Sequence, residues 1–154
     1  MTYTIEMKDR PEQRTLAIRT HSPVQDLPVV IPQTMQKIGD YLAQTKQSTN
    51  DIPFVGYYNM DMQNLDVEIG FLSSGNASGQ GSIQTGTIPA GKAATVMHIG
   101  SYATIGNAHE FLHKWMEANG YQSVNGYYEI YLNDPADTPE DQLKTEIFTL
   151  VKTS

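Results

Sequence analysis

The chain has 154 residues, no cysteine and a net charge of −7 from 10 basic and 17 acidic residues. This length favours one domain, able to bury about 70% of the surface of its unfolded chain. The lack of cysteine excludes disulfides, thiolate catalysis and cysteine-based zinc sites. The acidic balance argues against direct binding of nucleic acid, which needs a basic face. It suits cations or basic partners, or serves solubility alone.

The N-terminal stretch 1–8 has the pattern of a strand rather than of a signal peptide. No apolar run approaches the roughly 18 residues of a membrane span. We therefore expect a cytoplasmic protein without a membrane partner. The next strand is predicted over 14–21, where Leu16, Ile18 and Thr20 fall on one face.

The first predicted helix begins near residue 31. Its apolar residues recur with helical spacing at Ile31, Met35, Ile38 and Leu42. Pro28 and Pro32 confine its start, because an interior proline removes a backbone hydrogen bond and clashes with the preceding turn. Residues 54–60 and 65–72 then predict a hairpin.

Residues 73–82 are rich in glycine and serine, which is typical of a flexible linker. A phosphate-binding loop is disfavoured, because no Gly-Lys-Ser/Thr sequence and no helix follow. The elements predicted after it are a strand near 83–88, a strand over 92–99, a helix over 104–119, and a hairpin from 127–132 and 143–151. The helix has an inward stripe of Ile105, Ala108, Leu112, Trp115 and Met116 and is stopped by Gly120.

Two short patterns occur twice in the same order. Gly56-Tyr57-Tyr58 returns as Gly126-Tyr127-Tyr128, and Leu65-x-x-Glu68-Ile69-x-x-Leu72 returns as Leu143-x-x-Glu146-Ile147-x-x-Leu150. The second connection is about eight residues longer, which the run 134–137 explains as a longer hairpin loop. A period near 75 residues is too long for a solenoid.

The repeat instead predicts a single domain over 1–154 made of two related halves, about 14–72 and about 92–152. Each half is strand–helix–strand–strand, and we expect a pseudo-twofold axis between them. The predicted fold class is α+β, with a concave antiparallel sheet of about eight strands and two helices on one side. A cleft where the halves meet is a natural ligand site.

Side chains alternate along the predicted strand 127–132. We expect Tyr128, Ile130 and Leu132 to pack on the helices, and Tyr127, Glu129 and Tyr131 to face the opposite, concave side. On the last strand, the core set is predicted to be Ile147, Thr149 and Val151. The other side then carries Glu146, Phe148 and Leu150.

The closing hairpin resembles that of a known family. Residues Gly126-Tyr127-Tyr128-Glu129-Ile130-Tyr131-Leu132-Asn133-Asp134, followed by Leu143-Lys144-Thr145-Glu146-Ile147-Phe148, are similar to the GyrI-like effector-binding domains of AraC- and MerR-type regulators, which also occur as free-standing proteins. Residues 94–115 are similar too, and the resemblance covers nearly the whole chain, more weakly over 2–47. It implies a cofactor-free module that binds small, lipophilic, cationic compounds between its halves. The regulators' DNA-binding helices are absent from this sequence, so gene activation is not implied.

The resemblance assigns the pocket acid to Glu129 and a second acid to Glu146, with Phe148 where relatives often carry tyrosine. Independently, an acid enclosed by tyrosines loses solvation, and a lipophilic cation restores a counter-charge while stacking on the rings. The alternative is a solvated sheet face with an ordinary exposed acid. Further candidate pocket residues, each equally explained by surface or core packing, are Tyr57, Tyr127, Tyr131 and Trp115. The repeat aligns Asn59 with Glu129.

One motif competes with this interpretation. Residues His109-Glu110-Phe111-Leu112-His113 match H-E-x-x-H, a zinc motif. His113 and Glu110 lie well away from the apolar stripe, however, and the sequence offers no third ligand, so we expect no metal. His21 and His98 fall on strands, where packing or hydrogen bonding is the expected role.

The sequence therefore predicts non-catalytic binding of small organic cations, serving sequestration, delivery, or sensing through a protein partner or homodimer. Two alternatives stay open. One is a hydrolase of reactive small molecules, in which an acid beside tyrosines orients water. The other is a protein-interaction module such as a gyrase modulator.

Overall fold

A computed structural model describes residues 3–73 and 76–153. They form eight strands and two α-helices, which confirms the predicted α+β class. The strands are β1 (Ile5–Arg10), β2 (Gln13–Ser22), β3 (Pro53–Tyr57), β4 (Leu65–Ser73), β5 (Gln84–Ile88), β6 (Gly91–Ile99), β7 (Tyr121–Tyr131) and β8 (Lys144–Thr153), and the helices are α1 (Leu27–Gln44) and α2 (Ile105–Asn119). Within the described residues, neither helix combines the length and the apolar character that crossing a membrane requires.

The chain divides into two compact units. The first unit is Glu12–Pro89, and the second is Met1–Pro11 together with Ala90–Ser154. Each contains one strand–helix–strand–strand repeat, as predicted, and one further strand. All pairings in the two ladders are antiparallel, and their strand orders correspond: β3-β4-β2-β5 in the first unit and β7-β8-β6-β1 in the second.

In the first unit, α1 packs on one face of the sheet. Ile38 and Leu42 of the helix join Leu16 and Ile18 of β2 in a buried cluster. The helix begins earlier than predicted, because Pro28 lies in its first turn, where a missing N–H has no helical partner in any case.

The glycine-rich segment that follows β4 is attached to α1 over the part that the structure describes. The Tyr41 hydroxyl donates to the Ser78 carbonyl at 2.5 Å, and the Ser78 N–H donates to Gln47 Oε1 at 2.7 Å. Ile83, only 5% exposed, joins the same core cluster. Hydrogen bonds and burial therefore hold the C-terminal part of this segment in place, although its composition is typical of a linker.

In the second unit, α2 covers one face of the sheet. The predicted stripe is confirmed, since Ala108, Leu112 and Met116 are buried against Ala94 and Val96 of β6 and Ile147 of β8. Gly120 ends the helix at φ 76°, a left-handed conformation that glycine adopts without penalty.

Strand β7 starts at Tyr121, well before the predicted position, and contains an irregularity. Its register against β8 shifts between Ser123 and Tyr127. Gly126 lies inside this shift with φ 82°, which explains the glycine there. Thr149 Oγ1 donates to the Gly126 carbonyl at 2.6 Å and stabilises the bulged segment.

The irregularity affects the internal repeat. Glu68 of β4 lies opposite Gly56, whereas Glu146 of β8 lies opposite Ile130. Superimposing the hairpins on these glutamates makes Ile130, not Gly126, the counterpart of Gly56. The predicted equivalence of the two Gly-Tyr-Tyr segments is therefore wrong, while that of the Leu-x-x-Glu-Ile segments holds.

The counterpart of Asn59 is consequently Asn133 and not Glu129. Asn59 Oδ1 accepts from the Asp66 N–H at 2.9 Å, and Asn133 Oδ1 accepts from the Lys144 N–H at 2.9 Å. Both asparagines thus close the turn of their hairpin. The position in the first unit that corresponds to Glu129 is Val55, which is fully buried.

Candidate ligand-binding site

Glu129 lies on the sheet face that α2 covers. It is opposite Ile147 in the ladder of β7 and β8, and directly paired residues of antiparallel strands share a face. Ile147 belongs to the cluster packed under α2. The expectation that Glu129 and its tyrosine neighbours face away from the helix is therefore wrong. The alternation of side chains along a strand assigns residues to the two faces of the sheet, but it does not show which face a helix covers. A shift of the strand register by one residue exchanges the two faces.

Each carboxylate oxygen of Glu129 has its own partner. Oε2 lies 2.6 Å from His109 Nε2, and Oε1 accepts a hydrogen bond from the Tyr131 hydroxyl at 2.6 Å. The side chain is nine-tenths buried, at 5% exposure. Because a buried charge is costly without hydrogen bonds, these two contacts explain how α2 and β7 hold an acid inside the unit.

Aromatic rings surround this acid. The Tyr102 ring meets the Tyr131 ring edge-on at 5.5 Å, and the His109 ring meets Tyr127 at 6.2 Å. Tyr102 comes from the short 3-10 turn just before α2 and is 36% exposed. We call Tyr102, His109, Tyr127, Glu129 and Tyr131 the Glu129 cluster. It has a buried negative charge at its base and half-exposed rings towards solvent.

Tyr102 and Tyr127 remain protonated at neutral pH. Burial raises the pKa of Tyr102 above its ordinary value, and the charges of Asp134 and Glu129 raise it further. Burial likewise raises the pKa of Tyr127, with an added effect of Glu117. These rings can therefore stack on a ligand and donate hydrogen bonds without adding charge.

The second predicted acid lies on the other face of the sheet. Arg10 Nη1 donates to Glu146 Oε1 at 2.9 Å, and Lys8 Nζ donates to Glu146 Oε2 at 3.4 Å. The Arg10 guanidinium also sits 3.7 Å from the centre of the buried Phe148 ring. The structure thus does not bring Glu146 or Phe148 together with Glu129, and it gives Glu146 two cationic partners.

The remaining predicted residues lie on other elements. Trp115 stacks on Tyr121 with ring centres 5.7 Å apart. Tyr57 and Asn59 belong to the first unit, Tyr57 half-buried at the end of β3 and Asn59 in the turn after it.

The histidines of the H-E-x-x-H motif point to different partners. His113 is exposed and pairs with Glu117 at 2.6 Å, whereas His109 contacts Glu129. The described residues include no cluster of three or more His, Asp and Glu side chains suited to a metal ion. His98 is fully buried, with Nδ1 hydrogen-bonded to the Tyr3 hydroxyl and Nε2 donating to the Ser101 carbonyl, both at 2.9 Å, which confirms its predicted packed role.

Sequence reasoning missed the contact of His109 and the presence of Tyr102. One signal existed for His109: it lies at the border of the apolar stripe of α2, nearer to the core than His113. No pattern identified Tyr102, which precedes the helix in an irregular turn.

Two surface hollows lie elsewhere. One, of about 330 Å³, is lined by Glu12, Gln13, Arg14, Asn50, Leu72 and Ser73. The other, of about 420 Å³, is lined by Ile99, Gly100, Ser101, Glu140 and Asp141. Neither lining contains an aromatic ring, so the Glu129 cluster remains the better candidate for an apolar organic ligand.

A duplicated α+β scaffold with a buried acid among aromatic rings defines a small-molecule binding domain. The chain belongs to the GyrI-like family, because the sequence profile described as "GyrI-like small molecule binding domain" matches residues 3–152. This confirms the resemblance noted from the closing hairpin. No curated protein matches the chain.

Solved structures agree with this assignment. The C-terminal domain of EcmrR is 26% identical with a TM-score of 0.85, each chain being covered completely. In a complex of EcmrR with DNA the identity is 25% and the TM-score 0.83, and our chain, covered to 99%, spans 58% of the EcmrR chain.

More distant structures share the fold alone. SAV2435 bound to tetraphenylphosphonium is 16% identical, with a TM-score of 0.69 over 99% of this chain and 94% of that one. A hydrolase from Listeria innocua is 15% identical, with a TM-score of 0.60 over 97% of this chain and 92% of that one.

Proposed function

We propose that the protein binds lipophilic organic cations at the Glu129 cluster and performs no chemistry on them. The observation that carries this proposal is the side chain of Glu129, which is 5% exposed, accepts a hydrogen bond from the Tyr131 hydroxyl and lies in one cluster with the rings of Tyr127 and Tyr102. A negative charge in a desolvated, aromatic environment is complementary to a positive charge on an apolar body.

The recognition energy has two sources. Charge attraction is strong near Glu129, because burial lowers the local dielectric constant. Each contact between the cation and a ring face adds about 0.5–2 kcal/mol, depending on desolvation. A delocalised cation such as tetraphenylphosphonium, which SAV2435 binds on the same fold, loses little hydration on entry and suits both sources.

Replacement of Glu129 by glutamine separates charge from shape. Glutamine can still accept from Tyr131, and its amide can donate to a neutral His109, so we expect Glu129→Gln to fold with nearly unchanged stability. Loss of the charge should weaken tetraphenylphosphonium binding by about 2–5 kcal/mol. Tetraphenylborate has the same shape with a negative charge, so the variant should bind it no worse than the wild type does.

Titration calorimetry measures all four combinations of protein and ligand. Glu117→Gln is the matched control, since it removes the same charge from an exposed side chain of α2 and should change either affinity by less than about 1 kcal/mol. Equal affinity of wild type and Glu129→Gln for the cation would refute Glu129 as the recognition element.

A second candidate function, hydrolysis of reactive small molecules, has one specific observation in its favour. The contact of His109 Nε2 with Glu129 is the arrangement by which a carboxylate orients an imidazole for general-base catalysis. Turnover of an activated ester that is lost in both His109→Gln and Glu129→Gln, but kept in His113→Gln, would support this function over simple binding.

A further inference from the structure

We propose that His109 competes with the ligand for the charge of Glu129, so that protonation of His109 lowers the affinity for organic cations. This inference rests on the proposed function, and it assigns to His109 the control of when the site accepts a cation. It requires only the contact between α2 and β7 that the structure contains.

The geometry places a titratable imidazole where the charge of the ligand is needed. His109 Nε2 lies 2.6 Å from Glu129 Oε2, shorter than most neutral hydrogen bonds between nitrogen and oxygen. The His109 side chain is 27% exposed, against 5% for that of Glu129, so it can exchange protons with solvent.

The two protonation states of His109 have opposite consequences. A neutral imidazole donates its Nε2–H to Glu129 without neutralising the carboxylate. An imidazolium forms an ion pair with Glu129, neutralises it and repels a second cation. Binding a permanent cation to the protonated form therefore releases one proton to solvent, and the total charge is conserved.

Two other members of the cluster stay uncharged over the range in which imidazoles titrate, about pH 5 to 8. Tyr102 and Tyr127 have raised pKa values and are neutral there. The titratable groups on the elements packed against α2 are Tyr102 before the helix, Lys92 and His98 on β6, Tyr121, Tyr127, Tyr128, Glu129 and Tyr131 on β7, and Glu110, His113, Lys114 and Glu117 on α2 itself, with Tyr3 and Asp134 beside them. The two other histidines have separate partners, Tyr3 and Glu117.

The test measures the affinity for tetraphenylphosphonium from pH 5.5 to 8.0. One coupled proton changes the affinity by at most about tenfold per pH unit, so we expect the wild-type affinity to fall between pH 8.0 and pH 5.5 with a slope within that limit. His109→Gln keeps a neutral donor towards Glu129 and should bind with an affinity that does not change with pH. His113→Gln should retain the wild-type dependence.

A measurement on wild type alone guards against misfolded variants. Calorimetry at several pH values, in two buffers of different ionisation enthalpy, should show up to one proton released for each cation bound, in an amount that falls as the pH rises. Binding that requires Glu129 but releases no proton overturns the role of His109 and leaves the proposed function intact. A pH dependence that survives in His109→Gln overturns that role in the same way. Absence of cation binding at every pH overturns the proposed function, and this inference with it.

Discussion

Two threonines of β8 lie fully buried on the face that α2 covers, and they differ in hydrogen bonding. Thr149 Oγ1 is 2.6 Å from both the Gly126 carbonyl and Ser123 Oγ, whereas Thr145 Oγ1 has no partner among the described residues. A buried hydroxyl without a partner costs about 1–3 kcal/mol, and a satisfied one contributes about 1 kcal/mol. We therefore expect Thr145→Val to raise the free energy of unfolding by about 1 kcal/mol and Thr149→Val to lower it by a similar amount.

Urea denaturation of both variants checks this pair, which shares strand, face and burial. Equal destabilisation of the two would show that the Thr145 hydroxyl has a partner in solution, such as a buried water. Thr145 lies opposite Tyr131 in the ladder, next to the Glu129 cluster. A gain in stability in Thr145→Val would therefore show that the wild-type hydroxyl, next to the proposed site, lowers the free energy of unfolding.

For individual residues, the sequence predicted Glu129 and the tyrosines on either side of it, but not the residues of other elements that contact them. Glu129 and Tyr131 are neighbours along one strand, so alternation alone placed them together. His109 belongs to a different element, and its contact depends on how α2 is rotated over the sheet. Periodicity gives the centre of a helical stripe but not which border residue meets which strand.

Among the elements, strands β2 and β4 are joined by an ion pair that predicts acid sensitivity. Arg19 Nε and Nη2 donate to the two oxygens of Asp66 at 2.7 and 2.8 Å, and the guanidinium lies 3.9 Å from the centre of the Tyr58 ring. The hydrogen bonds from Arg19 lower the pKa of Asp66 below its ordinary value. A lowered pKa means that this stabilisation is present above about pH 4 and is lost as the pH falls through the folded-state pKa.

We expect Asp66→Asn to lower the free energy of unfolding at pH 6 by at most about 1 kcal/mol, because Arg19 is half exposed and solvent screens the pair. The difference from wild type should narrow below pH 4, as measured by urea denaturation over a pH series. The double variant with Asp66→Asn and Arg19→Gln should be only slightly less stable than Asp66→Asn alone, since both substitutions remove the same interaction. A difference that stays constant down to pH 2 contradicts the assignment.

Element order and type followed directly from sequence patterns, but register did not. The stripes of α1 and α2 and the hairpins were visible because each has one dominant period. Strand β7 departs from this rule, since the bulge at Gly126 lengthens it and displaces the Gly-Tyr-Tyr segment relative to its partner. A match of three residues could not reveal that displacement, whereas the longer Leu-x-x-Glu-Ile match identified equivalent positions.

For the whole molecule, the two repeats differ at the position of the buried acid. The first unit carries Val55 at the position of Glu129, so its corresponding strand presents an apolar side chain and cannot supply a counter-charge. The proposed function accordingly implies one high-affinity cation for each chain. A difference at this single position therefore gives the second unit a buried acid where the first unit has a valine.

The net charge of −7 offers a competing explanation for any preference for cations, and salt separates the two. The field of surface charges is screened within about 10 Å at 0.1 M salt and about 3 Å at 1 M, while a charge in direct, desolvated contact with the ligand is screened much less.

If Glu129 is responsible, the preference for tetraphenylphosphonium over tetraphenylborate should persist at 1 M sodium chloride, measured by calorimetry, and should collapse in Glu129→Gln at every salt concentration. Asp40→Asn, which removes the same charge from an exposed position of α1, should leave it unchanged. A preference that disappears with salt in the wild type, and declines equally in both variants, would assign cation selectivity to the overall charge of the molecule instead of to its buried acid.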